Sequence, residues 1–281
     1  MKILAPAKIN LTLEVLGKRA DGYHEIRSVM QEIGLCDTLD FEASREFNIT
    51  SDMPEWKASE SLVAKAANLL REATGCGQGA NIEVKKQIPL TSGLGGDSSD
   101  AAATLRGLNT LWKSGLSPQR LMELAPRLGS DVAFFLHGGT ALAEGRGEKL
   151  TSLPPPPHAR VVLVVPKVPL PPGKTAQLYS SLNSNHYTDG RITERLAEVL
   201  RNGGDLAPSL LFNTFENVAF DCFPGLKVYW SHILKLGADN LHLAGSGPTL
   251  FSVLKDKTQA ADLAARCRHQ GMAVYLAEMG R

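Results

Sequence analysis

The sequence lacks an excess of charge of either sign, and it lacks closely spaced cysteines. Its 281 residues carry 30 lysines and arginines against 29 aspartates and glutamates, which gives a formal net charge of +1. This balance provides no basic field that would attract nucleic acid or an anionic membrane surface. The four cysteines form no CxxC pair, which argues against a zinc site or a disulfide framework and is typical of a reducing cytoplasm.

Long hydrophobic runs are also lacking. The N-terminal stretch reaches Pro6 after a few apolar positions, which is too short for the hydrophobic region of a signal peptide. The apolar run 160–166 has the length of a strand and is too short to cross a bilayer. We therefore expect a cytoplasmic protein that has neither a nucleic acid nor a membrane as its partner.

The spacing of apolar residues predicts a chain that mixes strands and helices. Residues 9–15 alternate as a half-buried strand, on which Lys8 and Asn10 point to the same side. The pattern further predicts strands at 25–41, 80–85, 160–165 and 272–277, a strand pair joined by a glycine turn at 241–254, and helices at 62–73, 118–128, 174–182, 190–202, 225–236 and 258–268.

A run of prolines at 154–157 is a rigid, extended spacer and the clearest candidate for a domain boundary. We predict an α+β protein with an N-terminal domain at 1–153 and a C-terminal domain at 158–281. The first domain has a mixed α/β pattern, and the second has the pattern of a small α+β sandwich.

A glycine-rich loop at 88–96 is followed directly by a helical pattern. Gly93, Gly95 and Gly96 lack a Cβ, so the backbone can take positive φ and approach a ligand closely. Ser98, Ser99 and Asp100 are candidates to cap the helix. A loop that presents backbone N–H groups and a helix N-terminus to one point is typical of a phosphate site.

Known phosphate motifs do not match this loop. A dinucleotide fingerprint requires a third glycine where Ser98 stands, and a Walker P-loop requires a lysine where Asp97 stands. The later Gly173-Lys-Thr175 has Val168 at the place of the Walker motif's first glycine. The loop is therefore either an ordinary turn between a strand and a helix or a phosphate loop of another kind.

Several further residues could take part in chemistry, although each alone has an ordinary explanation. Lys8 could be a solvated lysine at a strand edge, and Asp131, which begins an apolar run, could be a helix N-cap. Tyr23 and His24 lie in a polar stretch and could be surface residues. A second glycine turn at 245–248 could be a plain hairpin.

Six blocks of sequence occur together in the order found in one family. They are Pro6-Ala-Lys-Ile-Asn10, Arg19-Ala-Asp-Gly-Tyr-His24, and the segments 88–102, 128–132, 143–148 and 245–248. On these motifs the chain resembles the GHMP kinases, named after galactokinase, homoserine kinase, mevalonate kinase and phosphomevalonate kinase. The first two blocks are similar to those of the members that phosphorylate the 2-hydroxyl of 4-diphosphocytidyl-2-C-methyl-D-erythritol, in isoprenoid precursor synthesis.

The resemblance implies a fold, cofactors and roles for particular residues. The implied fold is an N-terminal domain like domain 2 of ribosomal protein S5 and a ferredoxin-like C-terminal domain, and the implied cofactors are ATP and Mg²⁺. The implied partner is a small-molecule substrate, and we expect a monomer or a homodimer. Asp131 would be the catalytic base and Lys8 its partner. Substrate would contact Asn10, Tyr23, His24 and Tyr179, the last by stacking on the cytosine ring. The ATP phosphate loop would comprise Pro89, Leu90, Thr91, Ser92, Gly93, Leu94, Gly95, Gly96, Asp97, Ser98 and Ser99.

The chain departs from the family pattern at two positions. Relatives usually carry a glycine where Asp97 stands, and a carboxylate there should weaken ATP binding by repulsion. Ser61 stands where relatives commonly carry an asparagine near the adenine, and Arg146 lies at a variable position without an implied role. Two alternatives stay open: a GHMP kinase for mevalonate, homoserine or a sugar, and a ligand sensor on the same fold without catalysis. The metal ligands are not implied by any motif.

Overall fold

The computed structural model describes residues 1–279. Within them the strands are β1 Lys2–Lys18, β2 His24–Ser44, β3 Phe47–Ser51, β4 Gly79–Lys85, β5 Thr140–Gly145, β6 Lys149–Ser152, β7 Ala159–Val165, β8 Phe212–Asn213, β9 His242–Leu243, β10 Leu250–Leu254 and β11 Ala273–Met279. The α-helices are α1 Leu62–Thr74, α2 Gly96–Leu111, α3 Pro118–Leu124, α4 Ser130–His137, α5 Lys174–Ser181, α6 Arg191–Arg201, α7 Ala219–Cys222, α8 Leu226–Lys235 and α9 Lys257–His269. None of these helices is long and apolar enough to span a membrane.

The chain forms two compact units that are not continuous in sequence. The first unit comprises Met1–Ala7, Cys36–Leu90 and Gly95–Gly138, and the second comprises Lys8–Leu35, Thr91–Leu94 and the chain from Gly139 on. Strands β1 and β2 are long enough to contribute residues to both units. The predicted domain boundary at 154–157 divides the sequence into two successive halves. Because the two units are not continuous in sequence, they do not test this boundary, and it stays a prediction.

The first unit packs helices on strands. Strand β4 pairs antiparallel with the C-terminal part of β2, from Thr38 to Ser44, and parallel with β3. Helix α2 lies against β2 at Gly107, where a Cβ would stand 2.7 Å from the ring of Phe41. Helices α1 and α4 both pack on α2.

The second unit is built around a four-stranded antiparallel sheet in the order β11-β7-β10-β9. Helix α9 packs on this sheet because Ala260, Leu263 and Ala264 present one apolar face. In the same unit, the N-terminal part of β2 pairs with β5, β5 pairs with β6, and β1 runs parallel to β8.

The helix and strand predictions agree with the structure at most positions. Ser61 caps α1 through its hydroxyl, and Gly75 ends the same helix with a left-handed φ of 67°. Ser117 and Pro118 start α3 as predicted, although its last turn is a 3-10 turn at Ala125–Arg127. Short edge strands such as β3, β6 and β8 were not predicted, because their few residues show little alternation.

Candidate active site

The glycine-rich loop joins β4 to α2, and three of its residues have a left-handed backbone conformation. Gly93 and Gly95 have φ values of 88° and 77°, and Thr91 has φ of 51°. A β-branched residue in this region is an outlier, and such backbone strain is concentrated at ligand-binding sites. Helix α2 begins at Gly96 with Gly95 as its cap, so no side chain caps its first N–H groups.

The predicted capping role of Ser98, Ser99 and Asp100 is therefore wrong, because all three lie inside the first turns of α2. Ser99 and Asp100 are fully buried. The hydroxyl of Ser99 and the Oδ1 atom of Asp100 are buried without a hydrogen-bond partner. The uncapped N–H groups at the start of α2 suit an anion, and the unpartnered oxygens suit the cation that accompanies it.

A buried cluster of charges lies beside the loop in the first unit. The ammonium of Lys86 donates to Asp37 Oδ2 at 2.5 Å and to Asp100 Oδ2 at 2.7 Å. Asp37 Oδ1 also accepts from the backbone N–H groups of Gln87 and Ile88. These bonds fix the residues that lead into the glycine-rich loop to the side of α2.

The two carboxylates of this cluster differ in how well they are satisfied. Asp37 accepts three hydrogen bonds, whereas Asp100 receives one from Lys86 and has an unpartnered oxygen. Burial raises the pKa of Asp100 to about 7, against the opposing effect of Lys86. Burial alone would lower the pKa of Lys86, but Asp100 and Asp37 together raise it above its usual value.

Asp97 lies at the exposed edge of this buried cluster. Its side chain is 53% exposed, and its carboxylate lies 4.0 Å from the ammonium of Lys86. The residue sits in the first turn of α2 and does not have a positive φ. The turn therefore does not require a glycine at this position, and the effect of Asp97 on a bound triphosphate is one of charge.

In the second unit, the turn at 245–248 packs against the first part of the glycine-rich loop. A Cβ on Gly93 would stand 2.3 Å from the carbonyl oxygen of Ala244, and one on Gly245 would stand 3.0 Å from the carbonyl oxygen of Gly93. The N–H of Thr249 donates to the carbonyl oxygen of Ser92 at 3.3 Å. Both glycines are needed here because the two backbones approach so closely.

Lys8 is buried beside this turn, with only 4% of its surface exposed. Its ammonium donates to Asn10 Oδ1 at 2.8 Å, and Asn10 in turn donates to the hydroxyl of Ser28 at 2.8 Å. A Cβ on Gly245 would stand 2.9 Å from Lys8 Nζ. The explanation of Lys8 as a solvated edge lysine is therefore wrong, and the predicted common side of Lys8 and Asn10 is confirmed.

Aromatic side chains of the second unit gather around His24. Its ring stacks on Tyr179 with 4.7 Å between centroids, and Tyr179 contacts Phe215 edge-on. Burial and the charge of Lys18 lower the pKa of His24, which favours the neutral form of the ring. Tyr23 lies apart from this cluster with 56% of its surface exposed, and the guanidinium of Arg146 covers its ring at 4.6 Å.

Asp131 lies in the first unit, in the first turn of helix α4. The N-cap of this helix is Gly129, so the explanation of Asp131 as an N-cap is wrong. A Cβ on Gly129 would stand 3.9 Å from the hydroxyl of Ser98, so the start of α4 lies beside the start of α2. The side chain of Asp131 is half-buried.

Sequence reasoning missed some residues of this neighbourhood. Lys86 and Asp37 were not singled out, although charged residues at the end of an apolar strand pattern were a usable signal. Lys174 was dismissed together with the failed Walker motif, yet its ammonium donates to the turn at 245–248. Nothing in the sequence indicated that Arg146 covers Tyr23.

Comparison with known proteins agrees with this arrangement. The profile "GHMP kinases N terminal domain" matches residues 61–139, and "GHMP kinases C terminal" matches residues 192–271. A solved structure described as 4-(cytidine 5'-diphospho)-2C-methyl-D-erythritol kinase superposes with a TM-score of 0.85 at 33% identity, covering 100% of both chains. A homoserine kinase from Cytophaga hutchinsonii, at 18% identity and a TM-score of 0.73, shares the fold over 99% of this chain and 94% of its own.

The similarity in sequence extends over nearly the whole chain. A 4-diphosphocytidyl-2-C-methyl-D-erythritol kinase of Dehalococcoides mccartyi is 49% identical over 98% of this chain and 97% of its own. The protein of the same name from Pelotomaculum thermopropionicum is 44% identical over 94% and 93%. The predicted α+β fold with GHMP kinase domains is thereby confirmed. The chain belongs to the 4-diphosphocytidyl-2-C-methyl-D-erythritol kinases, a family of GHMP kinases that use ATP.

Proposed function

We propose that this chain transfers the γ-phosphate of ATP to the 2-hydroxyl of 4-diphosphocytidyl-2-C-methyl-D-erythritol, in the non-mevalonate route to isoprenoid precursors. The observation that carries the proposal is the left-handed glycine loop before α2, together with a near full-length identity of 49% to a relative of that name. The uncapped N–H groups of α2 and the loop backbone suit a triphosphate. The residues that the loop contributes are Pro89 to Ser99.

The proposed chemistry uses Asp131 as the general base and Lys8 as its partner, as the family resemblance implies. An alcohol is a poor nucleophile at neutral pH, so a carboxylate that accepts its proton accelerates attack by roughly 10²–10⁴. The ammonium of Lys8, held by Asn10, would offset negative charge at the attacking oxygen. Positioning matters most, because phosphoryl transfer leaves little covalent chemistry for the protein.

Mg²⁺ is part of the proposal because the oxygens at the start of α2 fit it. Mg²⁺ prefers hard oxygen ligands and is usually held by one or two protein oxygens together with phosphates. Ser99 Oγ and Asp100 Oδ1 are buried oxygens without a hydrogen-bond partner, in the first turns of the helix that follows the phosphate loop in sequence. When bound with ATP, the ion would neutralise charge on the phosphates.

The cytidyl substrate is expected to meet the aromatic cluster of the second unit. The flat, neutral ring of His24 and the ring of Tyr179 offer stacking surfaces for a base. Tyr23 and Asn10 complete the set that the resemblance implies. Tyr23 is more than half exposed, and Arg146 places a positive charge over its ring.

The test is ADP release from Mg²⁺-ATP with three alcohols offered in parallel: 4-diphosphocytidyl-2-C-methyl-D-erythritol, mevalonate and homoserine. We expect turnover with the cytidyl substrate alone. Turnover with another alcohol would contradict the proposed substrate and support the proposed phosphoryl transfer. Binding of ATP without turnover of any alcohol would favour the sensor alternative.

The Asp131→Asn variant tests the base within the same assay. Since asparagine keeps the shape but cannot accept the proton, kcat should fall by roughly 10²–10⁴ while the Kd of ATP stays nearly unchanged. Glu123→Gln, an exposed carboxylate on α3, is the control and should match the unmodified chain. Near-normal turnover by Asp131→Asn would remove the base assignment.

A further inference from the structure

Lys174, the first residue of α5, places its ammonium against the turn at 245–248. The ammonium donates to the hydroxyl of Ser246 at 3.1 Å, to the carbonyl oxygen of Ser246 at 3.3 Å and to the carbonyl oxygen of Gly247. The hydroxyl of the next residue, Thr175, lies 2.9 Å from the hydroxyl of Ser246. The start of α5 is thus bonded to the turn by two adjacent side chains.

These contacts use the full donor capacity of Lys174. A lysine ammonium carries three hydrogens, and three oxygens of the turn accept them. The side chain therefore has no hydrogen left for a phosphate. Lys174 acts on the turn and not on a ligand.

The turn that Lys174 holds is itself packed against Lys8 and the glycine-rich loop. Gly245 lies close to Lys8 and Asn10. A Cβ added at Gly245 would stand 2.9 Å from Lys8 Nζ and 3.2 Å from Asn10 Oδ1. Just after the turn, the N–H of Thr249 donates to the carbonyl oxygen of Ser92 in the glycine-rich loop. A shift of the turn by a few tenths of an ångström would therefore move Lys8 and the first half of the loop.

We propose that Lys174 is a positioning residue for phosphoryl transfer, which acts by fixing the turn at 245–248 against Lys8 and Ser92. The proposal rests on the proposed function for the identity of the reaction. It goes further by assigning a role to the Gly173-Lys-Thr175 segment, which neither the family motifs nor the catalytic assignments include. The same helix carries Tyr179 at its other end, so α5 links the turn to the stacked pair with His24.

The charge of Lys174 adds a pH dependence to this role. Burial and the neighbouring ammonium of Lys8 lower the pKa of Lys174 to about 8. The charged group that faces it is Lys8 on β1, whereas its partners on the turn are hydroxyl and carbonyl oxygens that do not titrate in this range. Helix α7, which packs on α5, carries the exposed Asp221. Above pH 8 the neutral amine has two hydrogens and no charge, so the turn is held less firmly.

The experiment measures kcat and KM between pH 6.5 and 9.5 for the unmodified chain, Lys174→Met, Lys174→Arg and Lys227→Met. Lys227 is an exposed lysine on α8 and serves as the matched control. At pH 7.5 we expect Lys174→Met to lower kcat about tenfold, with KM for ATP changed less than threefold. The kcat of the unmodified chain should decline with a midpoint near pH 8 toward that of Lys174→Met, whose profile lacks this step.

Lys174→Arg keeps the charge throughout this range, because the guanidinium pKa is above 12. Its kcat should lie between those of the unmodified chain and Lys174→Met, and it should not decline near pH 8. An unchanged kcat in Lys174→Met, or the same decline near pH 8 in Lys174→Met as in the unmodified chain, would overturn the proposal.

Hydrogen exchange separates this outcome from a failure of the proposed function. The backbone amides of residues 244–247 and 249 should exchange at least fivefold faster in Lys174→Met than in Lys227→Met, whether or not the chain turns over any alcohol. Equal exchange in the two variants would overturn the positioning role. Faster exchange in a chain without kinase activity would support the contact between Lys174 and the turn and would contradict the proposed reaction.

Discussion

Asp97 and Asp100 stand three positions apart on α2, and their surroundings make them opposite in chemistry. Asp100 is buried against Lys86 with a pKa raised to about 7, whereas the carboxylate of Asp97 is more than half exposed. The exposed charge lies where a triphosphate is expected. It stabilises the start of the helix through the helix dipole, and it opposes the binding of an anion at the same place.

We expect Asp97→Asn to tighten ATP binding by about two- to fivefold, since it removes one exposed negative charge and keeps the side-chain shape. Asp97→Gly should tighten binding to a similar degree, because the backbone there does not need a glycine. Titration calorimetry at 50 and 300 mM salt measures the effect. The gain should shrink at the higher salt, and Glu123→Gln should show none. Unchanged affinity in both Asp97 variants would refute the repulsion.

At the scale of elements, the site consists of two glycine turns that touch in the second unit, where Gly93 meets Ala244 and Gly245 meets Lys8. Their contact places the backbone of one turn at the head of a buried lysine. The spacing between the turns is therefore set by the absence of side chains at two positions.

Gly245→Ala tests this close contact. The new methyl group would stand 2.9 Å from Lys8 Nζ, so we expect kcat to fall at least tenfold by displacement of the ammonium. Gly203→Ala is a matched control, because Gly203 also has a left-handed φ, +66° against +54°, but open space around it. Both variants should lose about 1 kcal/mol of stability, and only the first should lose activity. Equal kcat in the two variants would contradict the argument.

At the scale of the whole molecule, the chain forms two units, and the buried charges Lys86, Asp37 and Asp100 belong to the core of the first. Asp100 is the member whose ionisation is disfavoured by burial. Its folded-state pKa, about 7, lies above the unfolded value of 3.8, so protonated Asp100 favours folding. This contribution is fully present below pH 4 and is lost as the pH rises through 7.

Asp100→Asn should therefore gain stability relative to the unmodified chain as the pH rises from 4 to 8. The expected relative gain is on the order of 2–4 kcal/mol, measured by urea unfolding at several pH values. Asp37→Asn is the contrasting variant. It should be destabilised by about 3–5 kcal/mol at neutral pH, because Asp37 accepts from Lys86 and two backbone N–H groups. A pH-independent difference for Asp100→Asn would contradict the raised pKa.

The sequence by itself determined the main helices and strands, the phosphate-loop signature and the family. These features depend on local spacing: apolar periodicity in α1 and α9, glycines around 93–96, and motif blocks whose order can be read along the chain. Caps such as Ser61 and Ser117 were readable for the same reason, since their partners lie three residues away.

Only the tertiary structure decided which polar residues are buried and what they hold. Lys8 and Lys174 look like ordinary surface lysines in sequence, yet the first is 4% exposed and the second is bonded to a turn about 70 residues away. The three-residue cluster of Lys86, Asp37 and Asp100 likewise joins positions that no local pattern connects. Burial and long-range hydrogen bonds set the pKa values of Asp100 and Lys174, because desolvation and neighbouring charges arise only when distant segments pack together.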